Sequence, residues 1–245
     1  MMLRLVDSGL AHPLYTVALE EAILESCAKG LMPPTLHLYV RDRPTVSLGY
    51  FEKVEAALDL AAAMREQVFL VRRMSGGSTI YTDPGQLIFS LTVDQGAIPR
   101  PADAYALTCG VLVNALAELG VEAEHKPPND VLVQGRKISG SAQTRKQGML
   151  MVHGTILVDT DLDRMVRVLL PRPDKQTRTR DQITSLSHEL GREVEMDRVK
   201  DALVRAFSEE LEQRAVCIPV NEREKGRVKA LIEEKYGREE YILQF

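Results

Sequence analysis

The sequence predicts an α+β fold, and three observations carry that reading. Segments with helical periodicity stand near both ends of the chain, around Ala18 to Cys27 and Val199 to Leu211. Short alternating runs lie between them, clearest from Leu87 to Val93. A Gln134-Gly135 turn joins two such runs into a hairpin. With 245 residues, 44% of them hydrophobic, the chain can bury a substantial core as one large domain or two smaller ones.

Taken in order, residues 3–6 read as a short edge strand. Pro13 suits the first turn of a helix in which Ala18, Leu19, Ala22, Ile23 and Cys27 share a face. Glu20, Glu21 and Glu25 lie on another face, expected to be solvated, and Gly30 ends the helix. Thr35 to Val40 and Thr45 to Leu48 are strands, the second running into Gly49-Tyr50-Phe51, an aromatic pair read as a cap on the core. Val54 to Arg65 is alanine-rich and helical. A strand from Phe69 ends in Arg72-Arg73 and falls into Ser75-Gly76-Gly77-Ser78. Leu87 to Val93 reads as a half-buried strand, and Asp103 as the N-cap of a helix that Gly120 stops.

Val131 to Val133 and Lys137 to Ser141 flank the hairpin turn. Met149 to Val158 follows a basic loop that ends at Gly148. Asp161 begins a short helix. Arg172 to Arg180, polar and basic, reads either as a solvated loop or as a clamp over an anionic ligand. Two helices complete the chain, Asp197 to Glu212 and Asn221 to Tyr236, with Asn221 and Glu224 spaced as a capping box.

Composition excludes several classes. A net charge of −4 with interspersed acids and bases argues against a nucleic-acid-binding face. Cys27, Cys109 and Cys217 have no metal-ligand spacing and no CxxC pair, so free thiols in a reducing compartment are expected. No apolar run approaches a membrane span, and Asp7 and Gly9 come too early for a signal peptide. A cytoplasmic location without membrane contact is the expectation.

The remaining features suggest a pocket for anions. Gly76-Gly77 lets backbone approach a ligand, and Arg72 and Arg73 offer forked donors for carboxylate or phosphate. Lys137, near Gly140, can stabilise charge that develops on such oxygens. Asp130, after Asn129, suits Mg²⁺ beside a nucleotide phosphate. Neither a P-loop nor a GxGxxG helix opening is present.

The ordered set resembles the lipoate–protein ligase A family, within the biotin and lipoate ligase group. Arg72-Arg73-Met74-Ser75-Gly76-Gly77, Tyr81, Asp83, Phe89-Ser90, Asn129-Asp130-Val131, Gly135 to Ala142 and His153-Gly154-Thr155 carry the resemblance, across roughly residues 1–190. It implies a single catalytic domain over residues 1–245, with a central, largely antiparallel or mixed sheet flanked by helices, like biotin ligases and class II synthetases. Helices in 197–245 would pack on it. It implies ATP with Mg²⁺, lipoate as substrate, a lipoyl-adenylate, and transfer to a lysine of a lipoyl-carrier domain. That carrier would be of the 2-oxoacid dehydrogenase E2 or glycine cleavage H-protein type.

By the same resemblance, Lys137 is the catalytic lysine. Arg73, Ser78, Thr79, Ile80, Tyr81, Asn129, Asp130 and Lys137 surround the nucleotide. Arg72, Ser75, Gly76, Gly77, Gly140, His153 and Gly154 surround lipoate, and Asp130 meets the metal. Residues after Arg214 are too few for the accessory domain of single-chain bacterial ligases, so a separate accessory subunit is expected, as in the archaeal arrangement. Departures from the family pattern are Ser78 for glycine, Thr82 for histidine and Gln86 for asparagine. Two rival readings are an octanoyltransferase that draws its acyl chain from acyl carrier protein, and a non-catalytic lipoyl-binding module. The cysteine-dependent transferases need a thiol in the pocket. In the loop before Asn129, where some members place it, this chain has Lys126-Pro127-Pro128, and Cys27 and Cys109 fall in predicted helices with Cys217 near the tail.

Overall fold

The computed structural model describes residues 2–170 and 179–245. Its first elements are β1 (Met2–Ala11), α1 (Pro13–Ala28), β2 (Thr35–Arg41), β3 (Thr45–Leu48), α2 (Val54–Ala57), α3 (Leu60–Arg65) and β4 (Phe69–Arg72). β5 (Ile80–Thr82), β6 (Gln86–Asp94), α4 (Pro101–Glu118), β7 (Glu124–Lys126), β8 (Asp130–Val133), β9 (Arg136–Lys146) and β10 (Met149–Leu157) follow. The chain continues through α5 (Leu162–Val168), α6 (Leu186–Leu190), α7 (Met196–Glu210), β11 (Arg214–Cys217), α8 (Glu222–Leu231) and α9 (Glu239–Ile242).

Among the described residues a mixed sheet runs in the order β11-β1-β2-β6-β10-β9-β8-β7, and a smaller one in the order β4-β3-β5. β1 is parallel to both its neighbours, since α1 carries the chain back over the sheet before β2 begins. From β2 to β7 every pairing is antiparallel. The fold is therefore the mixed α+β sheet flanked by helices that the family resemblance implies.

Strand alternation sends Leu36, Leu38 and Val40 of β2, with Leu87, Phe89 and Leu91 of β6, into a core shared with α4 and α7. The intervening residues point the other way, under α1. There Thr35, His37, Tyr39, Arg41, Ser90 and Thr92 are all buried. β6 is thus covered on both faces rather than half-buried. Val17, Ala18 and Ile23 of α1, with Met149, Met151, Val228 and Leu231, make a second core on that side.

This double covering corrects several expectations. β1 is flanked by β11 and β2, and the edge falls to β11 instead. The acidic residues of α1 are not solvated: Glu20 is 2% exposed, while Glu25 and Glu21 pair with Arg227 and Lys235 from the C-terminal helices. The predicted helix over 54–65 breaks at Leu58, whose backbone is extended, and restarts where Asp59 caps Ala62. α4 begins at Pro101, and Asp103 is spent on an ion pair with Arg100. The basic stretch before Gly148 is the second half of β9, which turns into β10 through Gln147 and Gly148 at φ of 54° and 77°. Residues 171–178, most of the predicted basic clamp, lie outside the described residues.

The chain's two ends are joined by a buried ion pair. Arg4 Nη1 and Nη2 donate to the two oxygens of Glu224 at 2.6 and 2.7 Å, and both side chains are essentially unexposed. Glu224 also closes the expected capping box with Asn221. Removing one charge would strand the other, so Glu224→Gln is expected to cost about 3–5 kcal/mol in urea unfolding. His37 supplies a pH dependence. Burial holds its imidazole down at about 4, so between pH 6.5 and 4 the unfolded chain takes up a proton that the folded chain refuses. Stability is full above pH 6.5 and falls by about 3 kcal/mol toward pH 4. A His37→Asn variant should lose that slope in unfolding curves recorded across this range.

Candidate active site

β4 delivers Arg72 and Arg73 to the mouth of the Ser75-Gly76-Gly77 loop. Both guanidiniums were expected to face a ligand; both are turned inward. Arg72, 0% exposed, donates to the carbonyls of Gly49, Tyr50 and Glu52 through Nη1, and to those of Tyr241, Ile242 and Gln244 through Nε and Nη2. Arg73 donates to the carbonyls of Ser47, Gly76 and Ser78 and to Ser75 Oγ. Burial holds its pKa down at about 10. A planar fork of five N–H groups satisfies converging carbonyls well, so these arginines build the loop from within.

Backbone contacts fix the loop further. Tyr50 N–H donates to Ser75 O at 2.9 Å, and Gly77 takes a left-handed φ of +88°. Gly49 packs so tightly that a Cβ there would lie 1.9 Å from Gly77 O. Beneath the loop, Ser75 Oγ meets His153 Nε2 at 2.7 Å, and His153 Nδ1 meets Glu20 Oε1 at 3.2 Å. Tyr39 donates to the same carboxylate at 3.1 Å. Desolvation would raise the Glu20 pKa, but the hydrogen bond from His153 and the nearby Arg41 charge prevail and hold it below the ordinary value. The order Ser, His, Glu is that of an acyl-transfer triad. Ser75 is 0% exposed, however, and its oxygen already accepts from Arg73, so it is a fastening rather than a nucleophile in this conformation.

The second half of the site comes from the β8–β9 hairpin. Gln134 and Gly135, with φ of 50° and 78°, make its tight turn as predicted. Asp130 pairs in register with Gly140, and Lys137 Nζ sits 2.5 Å from Asp130 Oδ1. Gly140 makes room for this pair, since a Cβ there would lie 2.6 Å from Lys137 Nζ and 3.2 Å from Asp130 Oδ1. Asn129, expected near the nucleotide, donates its amide to Ser141 O and accepts from Ser141 N–H through its own carbonyl. It secures the hairpin. Gly154 packs against Phe89 and Ser141, where a Cβ would come within 2.7 and 2.9 Å.

Register brings the halves together. His153 lies opposite Ala142, and a Cβ on Gly77 would be 3.4 Å from Ala142 Cβ. Gly140 is two residues from Ala142 on the same face, about 7 Å along the strand. The glycine loop, His153, Gly140, Lys137 and Asp130 therefore border one region. Tyr81 does not belong to it; it is 2% exposed in the core beneath the small sheet with Val46 and Leu48. Ile80 begins β5, and Thr79 Oγ1 donates to Glu52 Oε2 at 3.2 Å, from a carboxylate the sequence reading did not single out. Glu20 and Tyr39 were missed too, because helical periodicity places Glu20 among solvated acids.

Asp130 is a single carboxylate, and no cluster of three His, Cys, Asp or Glu that could hold a metal occurs among the described residues. That donor set fits only a metal held largely by substrate phosphates and water. Gly140→Ala tests the geometry. Its neighbour is the far end of a flexible side chain, so the fold should survive, with an unfolding midpoint within about 0.5 kcal/mol of wild type. Lys137 would be pushed off Asp130, and turnover should fall by about tenfold or more.

Known proteins agree with this architecture. Octanoyltransferase LipM of Moorella thermoacetica is 33% identical over 98% of this chain and 97% of its own length. A lipoate-protein ligase A structure bound with ATP superposes with a TM-score of 0.88 at 29% identity, covering 99% of each chain. A bi-partite lipoate protein ligase from Thermoplasma acidophilum, described with its E2 lipoyl domain, gives 0.84 at 30% identity over 99% of this chain and 95% of that one. The lipoyl protein ligase A/B catalytic domain family matches residues 12–208, so this chain belongs to that family.

Proposed function

We propose that this chain activates lipoate or octanoate with ATP and passes the acyl group to a lysine of a lipoyl domain. The observation that carries the reading is the Lys137–Asp130 pair seated on Gly140 beside the glycine loop. The Lys137 side chain is 42% exposed, so its ammonium can turn from Asp130 to an entering anion. There it would neutralise the acid carboxylate and the α-phosphate as they meet, and stabilise the charge that builds when pyrophosphate leaves. When the lysine amine attacks, the same cation would stabilise the oxyanion. Magnesium bound with ATP would neutralise phosphate charge, with Asp130 offering a carboxylate to it.

The thiols support this reading over a cysteine-dependent transferase. Burial pushes Cys109 up to about 11, with Asp130 adding to the rise and Lys137 opposing it, and burial raises Cys27 as well. Cys217 lies on β11, five strands from β9 and about 24 Å away across the sheet. None is poised as a nucleophile. The octanoyltransferase reading remains the second one, and the naming of the 33%-identical relative favours it. A lipoyl domain as acceptor is supported by the bi-partite ligase, and the same comparison supports a separate accessory subunit.

One assay separates the readings. A lipoyl domain is offered either lipoate or octanoate with Mg-ATP, or octanoyl-acyl carrier protein without ATP, each with and without an accessory subunit. The proposal expects modification only where ATP is present, with pyrophosphate released. Modification from the carrier protein alone would establish the transferase, and none under any condition a binding module. Lys137→Ala should lower turnover about 100-fold or more while the chain stays folded. Full activity in that variant would remove the lysine from the mechanism.

A further inference from the structure

We propose that Glu20 is a positioning residue which, acting through His153 on Ser75, sets the substrate-receiving shape of the Ser75-Gly76-Gly77 loop. The inference rests on the reading of this loop as a wall of the acyl site. It does not depend on whether the acyl donor is an adenylate or a thioester.

The argument is one of hydrogen-bond direction. Arg73 Nε–H donates to Ser75 Oγ at 3.0 Å, so that oxygen directs its own proton elsewhere. The neighbour within reach is His153 Nε2, 2.7 Å away, and in the neutral imidazole Nε2 is bare because Glu20, on the Nδ1 side of the ring, can only accept. The imidazole proton therefore sits on Nδ1 and points at Glu20, 3.2 and 3.3 Å from its two oxygens. Tyr39 adds its hydroxyl to the same carboxylate from β2. Every donor in the chain from Arg73 to Glu20 points the same way, and the charged carboxylate is its terminus.

The chain spans three separate parts of the fold: α1, β10 and the glycine loop. All its side chains are buried, Glu20 to 2% exposure, Ser75 to 0% and His153 to 8%. At its far end the loop presents Gly76 and Gly77, whose backbone N–H groups make no hydrogen bond among the described residues. Those open donors are what an anionic substrate would meet. Replacing the carboxylate by an amide leaves a group that can present N–H toward the imidazole, so the proton order on His153 is no longer enforced. Ser75 then loses a directed acceptor, and the loop its anchor.

The test reads the loop directly. Tyr50 N–H, bonded to Ser75 O at 2.9 Å, reports loop docking through its hydrogen exchange. Glu20→Gln, Ser75→Ala and the double variant are compared with wild type for exchange at Tyr50 and for octanoate affinity by calorimetry. Each single variant should speed Tyr50 exchange and weaken octanoate about tenfold, with exchange in α7 unchanged. The double variant should be no worse than the worse single one, because both remove the same linkage. Multiplicative effects, or normal Tyr50 exchange in folded Glu20→Gln, would overturn the inference. Should Glu20→Gln not fold, His153→Gln takes its place in the cycle with the same expectation. Wild type that binds octanoate yet shows no ATP-dependent transfer would overturn the ligase reading and leave this inference standing on its own measurements.

Discussion

A carboxylate withdrawn from water organises the centre of this molecule. Glu20 lies between the main sheet and the helix that covers it, at 2% exposure. An unpaired charge there would cost several kcal/mol, so its neighbours are not free to vary. Tyr39 from β2 and His153 from β10 must both turn toward it, and His153 in turn takes hold of Ser75. One electrostatic requirement thus links the first helix, two strands and the loop that borders the site. Arg41 of β2, buried on the same covered face, adds a charge that favours the ionised carboxylate.

A second dependence runs through the C-terminal segment. Arg227 and Lys235 pair with acids of α1, Glu224 receives Arg4, and the carbonyls of Tyr241, Ile242 and Gln244 take up Arg72. These residues are far from the glycine loop in sequence, yet the last of these ties ends on the arginine beneath it. The loop's shape is therefore a product of both ends of the chain. Arg72 and Arg73, which look like ligand-binding residues in the sequence, are committed to carbonyls of this framework.

The comparisons and the site draw on different parts of the molecule. Identity to octanoyltransferases and ligases alike is spread over nearly the whole chain and reports a shared scaffold. The chemistry depends on a few side chains grafted on that scaffold. In the reading proposed above those are Lys137 and Asp130 on a hairpin and Gly140, which leaves room for them.

Much was legible in the sequence because it rests on local rules. The Gln134-Gly135 hairpin, the helices around α1, α4 and α7, the capping box at Asn221 and the grouping of Lys137, Asp130 and the glycine loop all follow from turn chemistry, periodicity and motif order. The errors share a different cause. Glu20 was placed on a solvated face, β6 on a half-exposed one, and two arginines in a pocket. For Glu20, β6 and Arg72 the neighbours come from segments distant in the chain, whereas Arg73 is taken up mainly by its own loop. By itself the sequence determined most of the longer helices and strands and which residues could carry chemistry. Tertiary structure alone decided which charges are buried and which way each donor points, because burial and hydrogen-bond direction are properties of the groups that meet across the fold.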